Sequence, residues 1–377
     1  MNSGEKITVG ILFGGKSAEH EISLLSAKNI YDAIDRDKYE PVLIGIDKNG
    51  KWLLNDDSRF LLNAGDPGRI SLNPEGDPVA MIPASQGLLC KPEPPGNRDL
   101  HHSPFPASHS PHIDVVFPIL HGPFGEDGTV QGLLKLAGVP FVGSGVLGSA
   151  AGMDKDMMKR LLRDAGIPIG KFLTFRWHDP PPSFAEIKAA LGCPFFVKPA
   201  NMGSSVGISK VRDESGFSSA INEAFQYDTK IIVEEFIQGR EIECAVLGNE
   251  NPAASVPGEI IPSHEFYSYE AKYLDENGAV LQIPAKLDGG IQKRIQELSV
   301  KVFQTICCDG LARVDFFLCE NGDIIVNEIN TMPGFTRISM YPKLWESGGI
   351  GYTDLISRLI ELAVKKHEKE RTLKISR

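Results

Sequence analysis

A chain of 377 residues, 42% hydrophobic and 23% charged, can fill two or three domains with their own cores and is too apolar to be disordered. A formal net charge of -10 with no long Lys/Arg run disfavours nucleic acid as a partner. The apolar run Ile7–Phe13 is broken by Gly14 and Gly15 too early for a secretory segment, and no later run reaches membrane-spanning length, so a cytoplasmic chain without membrane association is expected. The six cysteines lack CxxC pairing and fit reduced thiols used as small core residues.

Ile7–Phe13 predicts a buried parallel strand, followed by a helix over 23–34 and a second strand over 42–47. From Asn55 to Pro111 the pattern dissolves into Pro, Gly, Asn and His, which reads as an insertion at the rim of the first domain. Its histidines, His101, His102, His109 and His112, have no regular ligand spacing and fit a solvated loop better than a metal site. Ile113–Leu120 resumes as a strand. His121–Gly128 then forms the loop at its carboxyl end, where open α/β sheets bind ligands, and Thr129–Gly138 the next helix.

A helix over 153–165 ends at Gly166 and Pro168, and a domain boundary is expected near residue 150. The middle segment predicts a helix over 183–191, a strand over 194–199, a glycine-serine loop over 201–209, a helix near 217–225 and strands over 230–237 and 240–247, a small α+β unit. Beyond it lie an irregular stretch over 257–284, a helix over 290–307, strands over 311–319 and 323–330, and an amphipathic helix over 353–365.

Residues suited to phosphate are present. The loop Asn201–Gly207 offers backbone N–H groups and two hydroxyls but lacks the lysine that ends a Walker A loop. Lys198, at the end of an apolar strand, needs an anionic partner unless its ammonium snorkels to solvent; Lys155 is a second cation, or a surface charge. Glu328 and Asn330 share one strand face, and a neighbouring strand can set Asp315 beside them. Such hard oxygens suit Mg²⁺; the alternative is a salt bridge of Asp315 or Glu328 to Arg313, which the metal reading leaves free to act on substrate.

Taken in order, Gly14-Gly-Lys-Ser-Ala-Glu-His-Glu-Ile-Ser23, His121-Gly-Pro-Phe-Gly-Glu-Asp-Gly128, Met153-Asp-Lys155, Phe196-Val-Lys-Pro199, Gly203-Ser-Ser-Val-Gly207, Phe266-Tyr-Ser-Tyr-Glu-Ala-Lys-Tyr273, Arg313-Val-Asp315 and Asn327-Glu-Ile-Asn-Thr-Met-Pro-Gly-Phe-Thr336 resemble the D-alanine–D-alanine ligases. The likeness runs over nearly the whole chain and is weakest in the 55–111 insertion and at the C-terminus. It implies an α/β, ATP-grasp fold with a Rossmann-like parallel-sheet domain over 1–150, a central ATP-binding α+β unit over 151–247 and a C-terminal catalytic α+β domain over 248–377 carrying a flap over 257–284.

The resemblance also implies roles. Lys155, Lys198, Ser204, Ser205 and Lys272 would hold ATP phosphates. Glu234 with the backbone of Glu235, Phe236 and Ile237 would read adenine, and Glu241 the ribose. Asp315, Glu328 and Asn330 would bind two Mg²⁺, for which Mn²⁺ can substitute. Glu19 would pair with the ammonium of the first D-alanine, with His121 nearby. Arg313 and the Gly334 backbone would be oxyanion donors, and Ser339 and Met340 would take the carboxylate of the second D-alanine. Tyr273 would close the flap through Ser204 and Glu19. The family implies a homodimer, formed through the first domain, making D-alanyl-D-alanine for peptidoglycan through D-alanyl phosphate. Two positions depart from the pattern, Met202 for Glu or Gln and Glu235 for Lys; both are expected to contribute mainly backbone.

Overall fold

A computed structural model of the chain describes residues 6–56, 59–66, 68–90, 111–180, 182–262 and 279–374. Three sheets carry the architecture. In the first, the order is Asp77–Pro78, Trp52–Asn55, Tyr39–Ile46, Ile7–Gly14, Val115–Ile119. The central strand Ile7–Gly14 runs parallel to both neighbours, with Ile7 opposite Tyr39 and Val9 opposite Val115. Helices cover a parallel sheet, which is why this strand is a continuous apolar run with Ile11, Leu12 and Phe13 fully buried. Because the chain leaves Ile7–Gly14 toward one side of the sheet and returns to it as Val115–Ile119 on the other, a crevice opens at the carboxyl ends of these two strands.

The second sheet, ordered Phe172–Arg176, Lys230–Glu235, Phe195–Pro199, Ser209–Val211, is antiparallel and backed by the helices Phe184–Leu191 and Phe217–Tyr227. The third is six-stranded: Ala279–Gln282, Gly258–Pro262, Arg240–Gly248, Gly310–Leu318 and Ile324–Asn330 in order, with Ala253–Ala254 paired to Arg240–Gly248.

Several elements differ from the sequence expectation. Arg240–Gly248, placed beside Lys230–Ile237 in the central unit, instead hydrogen-bonds along its whole length to Gly310–Leu318, so the chain crosses between sheets at 236–239. The helix expected over 153–165 is present as Lys155–Asp164, capped by Asp154, and a further helix, Val146–Met153, precedes it. Val146–Met153 escaped notice because its Gly, Ser and Ala content carries no apolar period. The ends of the irregular 257–284 stretch are strands, paired antiparallel with Ile260 opposite Leu281; residues 263–278 lie outside the described residues. Of the 55–111 insertion, the described part makes short edge pairings, Leu53 with Pro78 and Ala80 with Cys90. His101, His102 and His109 lie outside the described residues, and His112 is exposed beside Asp114.

The amphipathic C-terminal helix, Tyr352–Arg371, packs Leu355, Ile356, Leu359 and Ile360 into one core with Val9, Ile11, Phe13 and Phe117 of the first sheet. Phe335 sits in that core, 5.9 Å from Phe117. The loop 331–336 is thereby clamped between the first and last thirds of the chain.

Candidate active site

A cavity of about 310 Å³ lies between the four-stranded and six-stranded sheets. Lys155, Lys198, Ser204, Ser205, Glu234, Phe236, Ile237, Glu241 and Glu328 all line it. Strand periodicity explains the grouping: Phe196 and Lys198 share a face, Phe196 is directly opposite Glu234, and the lysine reaches it diagonally at 2.5 Å. Lys159, four residues after Lys155 on one helix face, grips the other Glu234 oxygen at 2.7 Å. Burial would raise the Glu234 carboxyl, but Lys159 and Lys198 hold it down to about 2. Burial would likewise lower the Lys198 ammonium, and Glu234 reverses that, keeping it above its ordinary value. The Lys155 ammonium donates to the Met202 carbonyl at 2.7 Å and lies 3.5 Å from Glu328. The Glu235 carboxylate accepts the Lys171 N–H at 2.7 Å, which leaves its backbone on the cavity wall.

Ser204 and Ser205 adopt left-handed φ values of 49° and 63°. Two successive non-glycine residues there cost on the order of 1–2 kcal/mol each. The turn carries the Ser204 hydroxyl to Glu19, to which it donates a short hydrogen bond across 185 residues of sequence. Glycines let the backbone approach that carboxylate: a Cβ on Gly203 would stand 2.9 Å from Glu19 Oε2, and one on Gly122 3.0 Å from it, so either would push the Glu19 side chain aside.

Ser204, Glu241 and Glu328 also line a second cavity, of about 570 Å³, that opens from the first. Here the crevice of the parallel sheet supplies Glu19 and His121, while the six-stranded sheet and its following loop supply Arg313, Asp315, Asn330, Gly334, Ser339 and Met340. Asp315 lies opposite Glu328, and Arg313 opposite Asn330, in the register of the last two strands. The expectation of an Arg313 left free is corrected. Two residues apart on one strand face, its guanidinium donates to both Asp315 oxygens at 2.7 Å and also pairs with Glu243 at 2.9 Å. Glu328 pairs instead with Lys155. Asn330 Nδ2 donates to Asp315 at 3.0 Å, which turns its amide oxygen outward as a third hard donor. Two carboxylates and an amide oxygen suit a magnesium-like cation. Among the described residues no group of three His, Cys, Asp or Glu forms a metal cage; this set has two acids plus Asn330.

His121 Nδ1 lies 3.1 Å from the Met332 carbonyl, which can only accept, so the proton is on Nδ1. Nε2 is then a lone-pair acceptor, buried with no partner among the described residues. Burial lowers the imidazole pKa, against the pull of Glu19, keeping the ring neutral.

A model of the D-ala D-ala ligase N-terminus matches residues 8–144, and one of the C-terminus residues 161–361. The D-alanine–D-alanine ligase of Oceanobacillus iheyensis is 55% identical, over 99% of both chains. The chain belongs to the D-alanine–D-alanine ligase family. The solved D-alanine-D-alanine ligase from Coxiella burnetii superposes with a TM-score of 0.83 at 37% identity, covering 97% of this chain and 96% of its own. The VanG D-Ala:D-Ser ligase from Enterococcus faecalis gives 0.81 at 35%, covering 95% and 100%. The fold is therefore ATP-grasp, and the protein is an ATP-dependent ligase that joins two D-alanines and uses a divalent metal. No helix among the described residues is long and apolar enough to cross a membrane.

Of the anticipated site residues, only Lys272 and Tyr273 lie outside the described residues. Sequence reasoning overlooked Lys159, whose four-residue offset from Lys155 was a usable signal, and Glu243, which carried none. It also overlooked Glu126, within a motif that was quoted. This carboxylate accepts the Gly122 N–H at 2.7 Å and the Met332 N–H at 3.2 Å, so together with His121 it holds both polar groups of residue 332. Burial, and then the Glu19 charge, push Glu126 up to about 8.

Proposed function

We propose that this ligase converts the carboxylate of one D-alanine to D-alanyl phosphate and transfers the acyl group to the amine of a second, supplying dipeptide for peptidoglycan precursors. The continuity of the two cavities through Ser204, Glu241 and Glu328 carries this reading, because it puts a phosphate-sized cluster of cations within reach of an amino-acid pocket. Lys155, Lys198 and the Ser204–Ser205 turn hold the ATP phosphates. Glu234 with the backbone of 235–237 reads adenine, and Glu241 takes the ribose hydroxyls. Two Mg²⁺, or Mn²⁺ in their place, would be held by Asp315, Glu328 and Asn330, and supply positive charge to the phosphate oxygens.

Glu19 and the His121 Nε2 lone pair orient the ammonium of the first D-alanine, so that its carboxylate oxygen attacks the γ-phosphorus and ADP departs. The amine of the second D-alanine, positioned by its carboxylate at Ser339 and Met340, attacks the acyl carbon. Negative charge develops on the carbonyl oxygen, and Arg313 with the Gly334 N–H stabilises it; phosphate leaves and the nitrogen loses its proton. Lys272 reaches the transferred phosphate, and Tyr273 closes the site against water. The units 1–150, 151–247 and 248–377 act as the three bodies of this cycle, in a cytoplasmic homodimer joined through the first. Incubation with ATP, Mg²⁺ and each alanine enantiomer tests the reading: ADP and dipeptide form one-to-one with D-alanine and not with L-alanine. ADP release without dipeptide would overturn it.

A further inference from the structure

The amino-acid cavity is acidic. Glu19, Glu126, Glu241, Glu243, Asp315 and Glu328 line it, against two cations among the described residues, Arg313 and Lys343. Arg313 is engaged by Asp315 and Glu243. Lys343 is half-buried on the cavity wall and has no ion pair with a described residue. Its position is electrostatically unfavourable for a lone cation, because it falls in the first turn of the helix Met340–Ser347, at the positive end of the helix dipole. That end is also uncapped. The Ser339 hydroxyl, which could have accepted from the helix, accepts the Thr336 N–H at 3.0 Å instead. Ser339 and Lys343 are four residues apart, so both face the cavity from one side of the helix.

The second substrate supplies what this corner lacks. To act as a nucleophile its amine must be neutral, so it reacts as an anion carried by its carboxylate, and an anion entering a cleft where acids outnumber cations needs a cation to meet it. We propose that Lys343 binds the carboxylate of the second D-alanine and thereby makes the acceptor site select an α-amino acid over a bare amine. The inference rests on the assignment of that carboxylate to Ser339 and Met340.

The test is a competition between D-alanine and D-alaninamide as acceptors for the same D-alanyl phosphate, with the dipeptide and the dipeptide amide separated and counted from one reaction. A product ratio does not depend on how much of a variant is folded. Wild type favours dipeptide; Lys343→Ala shifts the ratio toward the amide by about tenfold and raises the second-site KM for D-alanine by a similar factor, with KM for ATP and the first D-alanine within about twofold. Lys343→Arg restores most of the preference. A ratio and second-site KM within about twofold of wild type in Lys343→Ala would discard Lys343 as the anchor. Failure of the wild type to make dipeptide at all would instead remove the parent reading, and this inference with it.

Discussion

The two halves of the cleft follow opposite charge plans. In the nucleotide half, cations and acids neutralise one another within the protein: Glu234 between Lys159 and Lys198, Glu328 against Lys155. In the amino-acid half acids outnumber cations, six against Arg313 and Lys343 among the described residues, with His121 Nε2 unpartnered among those residues and an uncapped helix end carrying Lys343. The contrast fits the ligands. A triphosphate with its metal exchanges one set of strong pairs for another, so the protein can hold those side chains in place beforehand. A zwitterion brings one charge of each sign, and a site short of both an ammonium and a carboxylate is completed by it.

The contrast can be broken at several points. Glu328→Gln removes one of the two acids that line both cavities, and ATP turnover in the presence of D-alanine should fall roughly a thousandfold with circular dichroism unchanged; Lys198→Ala should do nearly as much. Normal phosphate release in either purified variant would overturn the nucleotide and metal assignments. Lys159→Met tests self-neutralisation directly. It leaves Glu234 with one cation, and should cost roughly 3 kcal/mol in urea denaturation as well as weaken nucleotide binding. A variant as stable as wild type would show that the pairing does not hold the half-site together.

Glu126→Gln should lower kcat roughly 10- to 100-fold while leaving KM for ATP unchanged, because it loosens residue 332 beside the Gly334 donor. It carries a pH signature too. The Glu126 carboxyl is raised from 4.5 to about 8, so the folded protein holds a proton that the unfolded chain releases. Its contribution to stability is complete below about pH 4.5 and is lost as pH rises through about 8. The denaturation midpoint of wild type should drop more between pH 5.5 and 8.5 than that of the variant; parallel profiles would refute the shift. The smallest effect is a control away from the cleft. Ser183→Ala removes the reciprocal capping box with Glu186 and should cost about 1 kcal/mol of stability with no change in kcat.

Much of the site was legible because its chemistry lies in short local patterns. A lysine ending an apolar strand, Glu328 and Asn330 two residues apart on a strand, and a glycine-serine loop each restrict what the side chains can do, whatever packs around them. Glu126 was less legible although it stands in a quoted motif, because its partner, the Met332 N–H, lies 206 residues away. Arg313 shows the same limit. Its spacing to Asp315 allowed both a salt bridge and a free guanidinium, and the pairing of Arg240–Gly248 with Gly310–Leu318, which brings in Glu243, strengthened the former.

By itself the sequence determined the identity of most strands and helices, since periodicity and residue chemistry act over a few positions, and it held the run of motifs whose family resemblance implies the reaction. Only the tertiary structure decided which sheet receives Arg240–Gly248, how the C-terminal helix shares a core with Ile7–Gly14, and which charges in the cleft meet partners. Those outcomes depend on distances between residues remote in sequence, and hydrogen-bonding and burial resolve them only once the whole chain has packed.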